Sequence, residues 1–298
     1  MTGRGGFELR NPTALERWIF SKPYFDPNGL VVAEENGRLV GFAHAGFGPN
    51  EDHTWLSPDI GILCAIAVRP SHRRRGIGSE LLRFSEDYLF ELGAQQICAG
   101  PQRPYNPFYF GLYGGADSPG FLTSDADAAA FLEYHGYAGW NTCLVMQRKL
   151  TGAPDITDPR FASIRRRYDL KMMPRSYVES WWRECMLGLL EPVEFRLEDK
   201  LSSTPVARAL VWEMEGFSWR WGVLSAGVMD LQVSATLRRQ GLAKYLMAQL
   251  MKYLQDNYFG LVEVQVPERN QAAVSLYRSL GFEQVDAGRI YQKVHIEP

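Results

Sequence analysis

The sequence is poor in the residues that would mark a metalloprotein or a disulfide scaffold. It has four cysteines and five histidines in 298 residues. Cys64, Cys98, Cys143 and Cys185 do not pair at metal-ligand spacing, and the first three lie in apolar, strand-like stretches. This reads as reduced core cysteine in a cytoplasmic protein. His44, His53, His72, His135 and His295 form no HExxH or similar pattern, so no metal site is expected. An excess of charge of one sign is missing too, with a formal net charge of -2. A general nucleic-acid binder is basic or carries a long basic stripe. Arg73–Arg75 and Arg165–Arg167 are short, isolated clusters, so nucleic acid is not an expected partner. No apolar run approaches the roughly 20 residues of a membrane span. The opening "MTGRGGFELRNP" has no hydrophobic signal region, so no membrane partner is expected either. What is plentiful is core material, at 46% hydrophobic and 13% aromatic residues. That suits two ordinary domains in a chain of this length.

A repeat divides the chain. "VRPSHRRRGIGSELL" (Val68–Leu82) has a partner, "VSATLRRQGLAKYLM" (Val233–Met247), 165 residues later. Each follows an apolar strand-like run and opens an amphipathic helix. Leu81, Leu82, Tyr88, Leu89 and Leu92 share one face of the first helix. Leu246, Met247, Leu250, Met251 and Leu254 share one face of the second. Another strand follows each ("QQICAG"; "LVEVQV"), then a short helix ending in glycine plus an aromatic ("DAAAFLEYHGY"; "NQAAVSLYRSLGF"). Gly136 and Gly281 suit the left-handed position just past a helix end. Two similar domains are expected, 1–150 and 151–298, joined through "TGAPDITDP". "DPRFASIRRRY" and "PRSYVESWWRECMLGLL" read as helices opening the second. The first half carries about 20 extra residues, near 101–124, rich in Gly, Pro and aromatics, which read as a long structured loop.

A strand entering a helix through Arg-x-x-Gly-x-Gly/Ala has a physical use. The first backbone N–H groups of a helix lack internal partners, and the helix dipole favours negative charge there. A phosphate can take those donors. Gly76 and Gly241 permit backbone angles that a Cβ disfavours, and Arg73 and Arg238 add positive charge. The pattern is neither GxxxxGK[ST] nor GxGxxG with a distant acid, so a pyrophosphate outside those two folds is the ligand that fits. The competing reading is a tight turn with solvated arginines; two copies in matching contexts weigh against it.

These motifs resemble the GCN5-related N-acetyltransferase family, whose signature is Arg/Gln-x-x-Gly-x-Gly/Ala after the fourth strand. The resemblance covers most of the chain. It implies two tandem α/β sandwich domains of the α+β type, each a mixed, mostly antiparallel sheet flanked by helices. Strands four and five of each would splay to admit acetyl-CoA. The donor-binding positions it implies are Ile66, Val68, Arg73, Arg74, Arg75, Gly76, Ile77, Gly78 and Ser79 in the first half. In the second they are Leu231, Val233, Arg238, Arg239, Gly241, Leu242, Ala243, Lys244 and Asn270. The implied activity is acetyl transfer to a primary amine of a small molecule or peptide, by a monomer (a pseudo-dimer of halves) or a homodimer. A non-catalytic acyl-CoA-binding protein is the alternative.

Acyl transfer to an amine needs a neutral amine, a polarised carbonyl and a proton for the departing thiolate. The resemblance implies Tyr277 as proton donor and Asn270 as a cofactor contact, although Asn270 is also a sensible helix N-cap. The first half has Leu132 and Asp125 at the matching positions. It is therefore expected to be degenerate and the second half catalytic; Tyr105, Tyr109 and Tyr113 are unranked substitutes in the extra loop. Asp230 is a candidate general base against a competing local structural role, with Glu263 and Glu268 behind it. Trp181, Trp182, Trp212, Trp219 and Trp221 read mainly as packing, with an acceptor pocket as the alternative.

Overall fold

The computed structural model describes residues 4–6, 8, 12–175, 179–187 and 190–294. Part of the helix expected over "PRSYVESWWRECMLGLL", and His295, lie outside them.

After a single turn, α1 (Thr13–Leu15), the first half builds β1 (Leu30–Glu35), β2 (Arg38–Pro49) and β3 (Leu56–Val68). Helix α2 (Ile77–Glu91) leads to β4 (Gln96–Ala99). The extra loop follows and ends in the two-residue β5 (Phe121–Leu122), then α3 (Asp127–Tyr134) and β6 (Ala138–Lys149). The second half has α4 (Phe161–Arg167), β7 (Tyr168–Pro174), α5 (Trp181–Leu187), β8 (Val193–Asp199), β9 (Pro205–Glu213) and α6 (Glu215–Trp221). It ends with β10 (Ser225–Val233), α7 (Leu242–Asp256), β11 (Leu261–Pro267), α8 (Gln271–Ser279) and β12 (Glu283–Val294). This is the mixed, mostly antiparallel α/β architecture expected, with helices flanking the sheet.

Local physics accounts for the main helices. α2 buries Leu81, Leu82, Ser85 and Leu89 at helical spacing, and Gly93 turns the chain at φ 103°. α7 repeats this with Leu246, Met247, Leu250, Met251 and Leu254 buried. Gly136 and Gly281 take φ 82° and 78° past the ends of α3 and α8. β7 falls between the two expected helices, sharing only Tyr168 and Pro174 with them; Tyr168–Pro174 pairs antiparallel with Val193–Asp199 at the sheet edge.

The two sheets are one. The strand order is β1-β2-β3-β4-β12-β6-β11-β10-β9-β8-β7, with β5 attached to β12. Each half lends its last strand to the other. β12 pairs with β4, matching Tyr291 to Ala99, while β6 pairs with β11, matching Met146 to Val264. The two exchanged strands also pair with each other. Tyr291 consequently sits in the first half's core with Leu63, Leu89 and Ile97. Leu144 and Met146 sit in the second half's core with Leu246 and Val264. Neither half closes its own core without the other.

A third core joins the halves on the opposite face. Trp182, Met186, Leu187, Trp212 and Phe217 pack there with Phe110 and Ala116 of the extra loop. The Trp212 indole donates to the Ala116 carbonyl at 3.1 Å. Trp181 and Trp221 pack against its edge, so these tryptophans serve chiefly as packing. Cys64, Cys98 and Cys143 are buried and all four cysteines are free. Among the described residues there is no group of metal ligands, and no helix is long and apolar enough to cross a membrane.

Candidate acyl-donor site

The Gly-rich turns are built alike. Pro70–His72 and Ala235–Leu237 each form a single 3-10 turn after the strand. Arg74 and Arg239 take left-handed φ of 59° and 66°, and Gly76 and Gly241 follow at 82° and 88° as helix N-caps. Arg73 Nε donates to the Val68 carbonyl at 3.1 Å, and Arg238 Nε to that of Val233 at 3.3 Å. These braces turn the guanidiniums of Arg73 and Arg238 back toward their own strands. Each turn opens a 15-residue helix with no side-chain cap at its glycine N-cap, an arrangement that suits a phosphate.

Each turn stands at the mouth of a splay between two parallel strands. β3 and β4 pair only from Ile60–Gln96 to Leu63–Ala99, and β10 and β11 only from Ser225–Leu261 to Val228–Val264. Beyond these points β3 and β10 run on without that neighbour. A bulge lies at the divergence in both. Leu63 pairs with Ala45 and Ala65 with His44, leaving Cys64 as the extra residue. In β10 the register shifts between Met229 and Gln232, with Asp230 at φ 54°.

The halves differ in what surrounds the turn. The first half keeps a cavity of about 830 Å³. It runs from the phosphate turn (Arg73, Arg74, Gly76, Gly78 and Ser79) past Ile66 and Val68 to Cys64, Tyr109 and Tyr113, with α3 as its far wall. A Cβ built on Gly76 meets no atom within 4 Å, so the glycine faces open space. Arg73 and Arg74 reach Asp127, the first residue of α3, at 2.8 and 3.7 Å. Arg75 turns away to Glu35 at 2.7 Å, and Ile77 joins the first half's core as a partly buried residue.

In the second half the linker lies against the turn. A Cβ on Gly241 would come within 3.1 Å of the Arg160 guanidinium. Lys244 is paired with Asp158 at 3.2 Å, and Phe161 sits edge-on to Tyr245. Leu242 is buried in the core, with Leu231 and Val233 packed against it. The Asn270 side chain accepts from Ala273 N at 3.2 Å, capping α8. Tyr277 is buried in the same core beside Phe282. Burial pushes its hydroxyl up to about 12 against the opposing charge of Arg103, so it stays protonated at neutral pH.

Asp230 sits in an ion-pair chain that local sequence does not reveal. Arg103 of the extra loop reaches it at 2.5 Å and also engages Asp117. Arg183 of α5 binds its other oxygen and contacts Glu179 at 3.5 Å. Burial alone would raise the Asp230 carboxyl, but the two guanidiniums pull it below the usual aspartate range. A carboxylate so held is a weak base and a strong anchor for the extra loop. Glu263 is fully buried and held protonated more readily than usual by burial, opposed by Arg4. It accepts from Ala116 N at 2.8 Å and from Gln147 Nε2 at 2.6 Å. It too ties the extra loop to the sheet.

The family model for the acetyltransferase (GNAT) family matches residues 6–111 and again 168–282. The chain belongs to this family. A mycothiol acetyltransferase from Salinispora tropica is 26% identical over 291 residues, covering 91% of this chain and 83% of that one. The mycothiol acetyltransferase of Acidimicrobium ferrooxidans is 38% identical over 90 residues, 29% of this chain but only 25% of that enzyme's length. A tandem GNAT protein from the clavulanic acid biosynthesis pathway matches in fold with a TM-score of 0.66 at 16% identity, covering 92% of this chain and 86% of that one. Both the repeat and the sheet architecture thus have solved counterparts, and this chain is a tandem N-acetyltransferase of the GNAT family. Enzymes of the family use an acyl-CoA donor and an amine acceptor.

Proposed function

We propose that the chain moves an acetyl group from acetyl-CoA to a primary amine of a small molecule or peptide, with the donor held in the first half. The observation that carries this is the open cavity joining the Arg73–Ser79 turn to the bulge at Cys64. The α2 N-terminus, Arg73 and Arg74 suit the donor's pyrophosphate. The unpaired edge of β3 from Ala65 to Val68 offers backbone groups to its pantetheine arm. Gly76, with no atom beside its absent Cβ, allows the close approach this needs.

A second reading places the chemistry in the second half. It is favoured by Tyr277, a protonated tyrosine on α8, and by a turn of the same geometry. Against it stand Arg160 and Asp158, laid on that turn, and the Arg103–Asp230 pair at its bulge. At 26% identity, the acceptor in the Salinispora enzyme's name is not carried over. The test is release of free thiol from acetyl-CoA across a panel of amino acids, amino sugars and short peptides. Amine-dependent release supports the reading. Acetyl-CoA binding without release by any amine favours a binding protein.

A further inference from the structure

Resting on the first-half donor site, we infer that Tyr109 is the proton donor to the departing thiolate there, held in place by His44. The α3 position that would carry such a tyrosine is Leu132, buried in the core. The extra loop supplies a hydroxyl from another direction. Tyr109 lines the cavity beside Cys64 and Ala65, where β3 leaves β4. The pyrophosphate end lies at the far end of the same cavity, so Tyr109 is at the thioester end. Its backbone is left-handed, φ 65°. A bulky aromatic in that region is uncommon and costs of order 1 kcal/mol or more unless its surroundings impose it. Here the strain aims the ring into the cavity.

His44 fixes which way the hydroxyl points. It lies opposite Ala65 across the β2–β3 ladder and is fully buried. Its ring sits 4.3 Å from that of Phe108. Burial lowers its pKa to about 4, so it is neutral and carries one N–H. Nδ1 is 3.1 Å from the Tyr109 oxygen, and Nε2 has no hydrogen-bond partner among the described residues. A proton on Nε2 would be a buried, unsatisfied donor. A proton on Nδ1 is bonded to Tyr109 and leaves only a lone pair unmatched, which is the better tolerated arrangement. With Nδ1–H donating to its oxygen, Tyr109 must direct its own proton elsewhere, and the open side is the cavity.

The other loop tyrosines are otherwise engaged. Tyr113 donates to Asp125 and accepts from Leu122 N at 2.9 Å. Tyr105 lines a separate cavity beside Gly48 and Asn50.

The transfer balances with Tyr109 in this role. The neutral amine nitrogen bonds to the thioester carbonyl carbon and the carbon–sulfur bond breaks. The Tyr109 proton goes to sulfur, and the proton shed by the new amide nitrogen returns through water to the phenolate. The products are the N-acetyl amine and free CoA thiol.

The test compares Tyr109→Phe with the wild type by acetyl-CoA calorimetry and by thiol release with the best amine of the panel. The expected result is unchanged affinity and KM with kcat lower by roughly 100-fold or more. Equal kcat in a wild type that is active overturns the role of Tyr109 alone; an inactive wild type overturns the transferase reading beneath it. Two His44 variants decide the matter if Tyr109→Phe does not fold. His44→Asn can still donate to the Tyr109 oxygen and is expected to retain more kcat than His44→Leu at equal KM, whereas equal kcat in the two overturns the positioning role. Nitrogen NMR of the wild type is expected to find His44 protonated on Nδ1, and a proton on Nε2 overturns the geometry.

Discussion

Replacing Asp230 by asparagine separates an anchor from a base. The side chain is 9% exposed and accepts from two guanidiniums, one of which, Arg183, is equally buried. Asparagine keeps the shape and one acceptor but removes the charge. Breaking a buried pair from one side costs about 3–5 kcal/mol, because the remaining charge is left uncompensated. Arg103 is 35% exposed and keeps Asp117, so solvent screens part of its loss. That brings the expected destabilisation to about 2–3 kcal/mol, or roughly 3–5 °C in Tm for a chain of 298 residues. The pH dependence has a definite sign. The folded pKa of Asp230 is depressed, so its contribution is present above the ordinary aspartate value and lost as pH falls through the lower folded one. Thermal melts of wild type and Asp230→Asn should therefore differ at neutral pH and converge in acid. An unchanged Tm together with a rate loss of about 100-fold or more would make Asp230 a base and refute the anchor.

Further outcomes follow from other contacts. Glu263→Ala strips the Ala116 N–H and the Gln147 amide of their buried acceptor and should lower stability by about 2–4 kcal/mol in a denaturant titration. Tyr277→Phe is expected to leave thiol release within about twofold of wild type, and a loss of about 100-fold would move the chemistry to the second half. Deleting β12 from Glu283 onward should prevent folding of both halves, read by circular dichroism, since β12 lies between β4 and β6. A first half that folds without it would contradict the shared sheet.

Much of this was readable from the sequence because the signals are local. The phosphate turns, the faces of α2 and α7, and the left-handed glycines after α3 and α8 each rest on a few adjacent residues. The exchange of β6 and β12 was not readable. Both strands follow a glycine and an aromatic, and nothing in either pattern selects β4 or β11 as partner. Long-range chemistry was hidden for the same reason. Asp230 meets Arg103 across 127 residues and Arg183 across 47. Tyr109 stood among three loop tyrosines with nothing in the sequence to rank them; a left-handed backbone and a buried histidine single it out. The cover on Gly241 came from Asp158 and Arg160, in a stretch that reads only as a linker and the start of a helix.

Calorimetric titration of acetyl-CoA, on wild type, Gly76→Leu and Gly241→Leu, tests the central claim most directly. A side chain at Gly76 would enter the open end of the cavity, while the left-handed backbone costs only about 1–2 kcal/mol of stability. One molecule bound per chain, lost in Gly76→Leu and kept in Gly241→Leu, is the predicted result. Binding that survives Gly76→Leu and disappears in Gly241→Leu would place the donor in the second half and contradict the account.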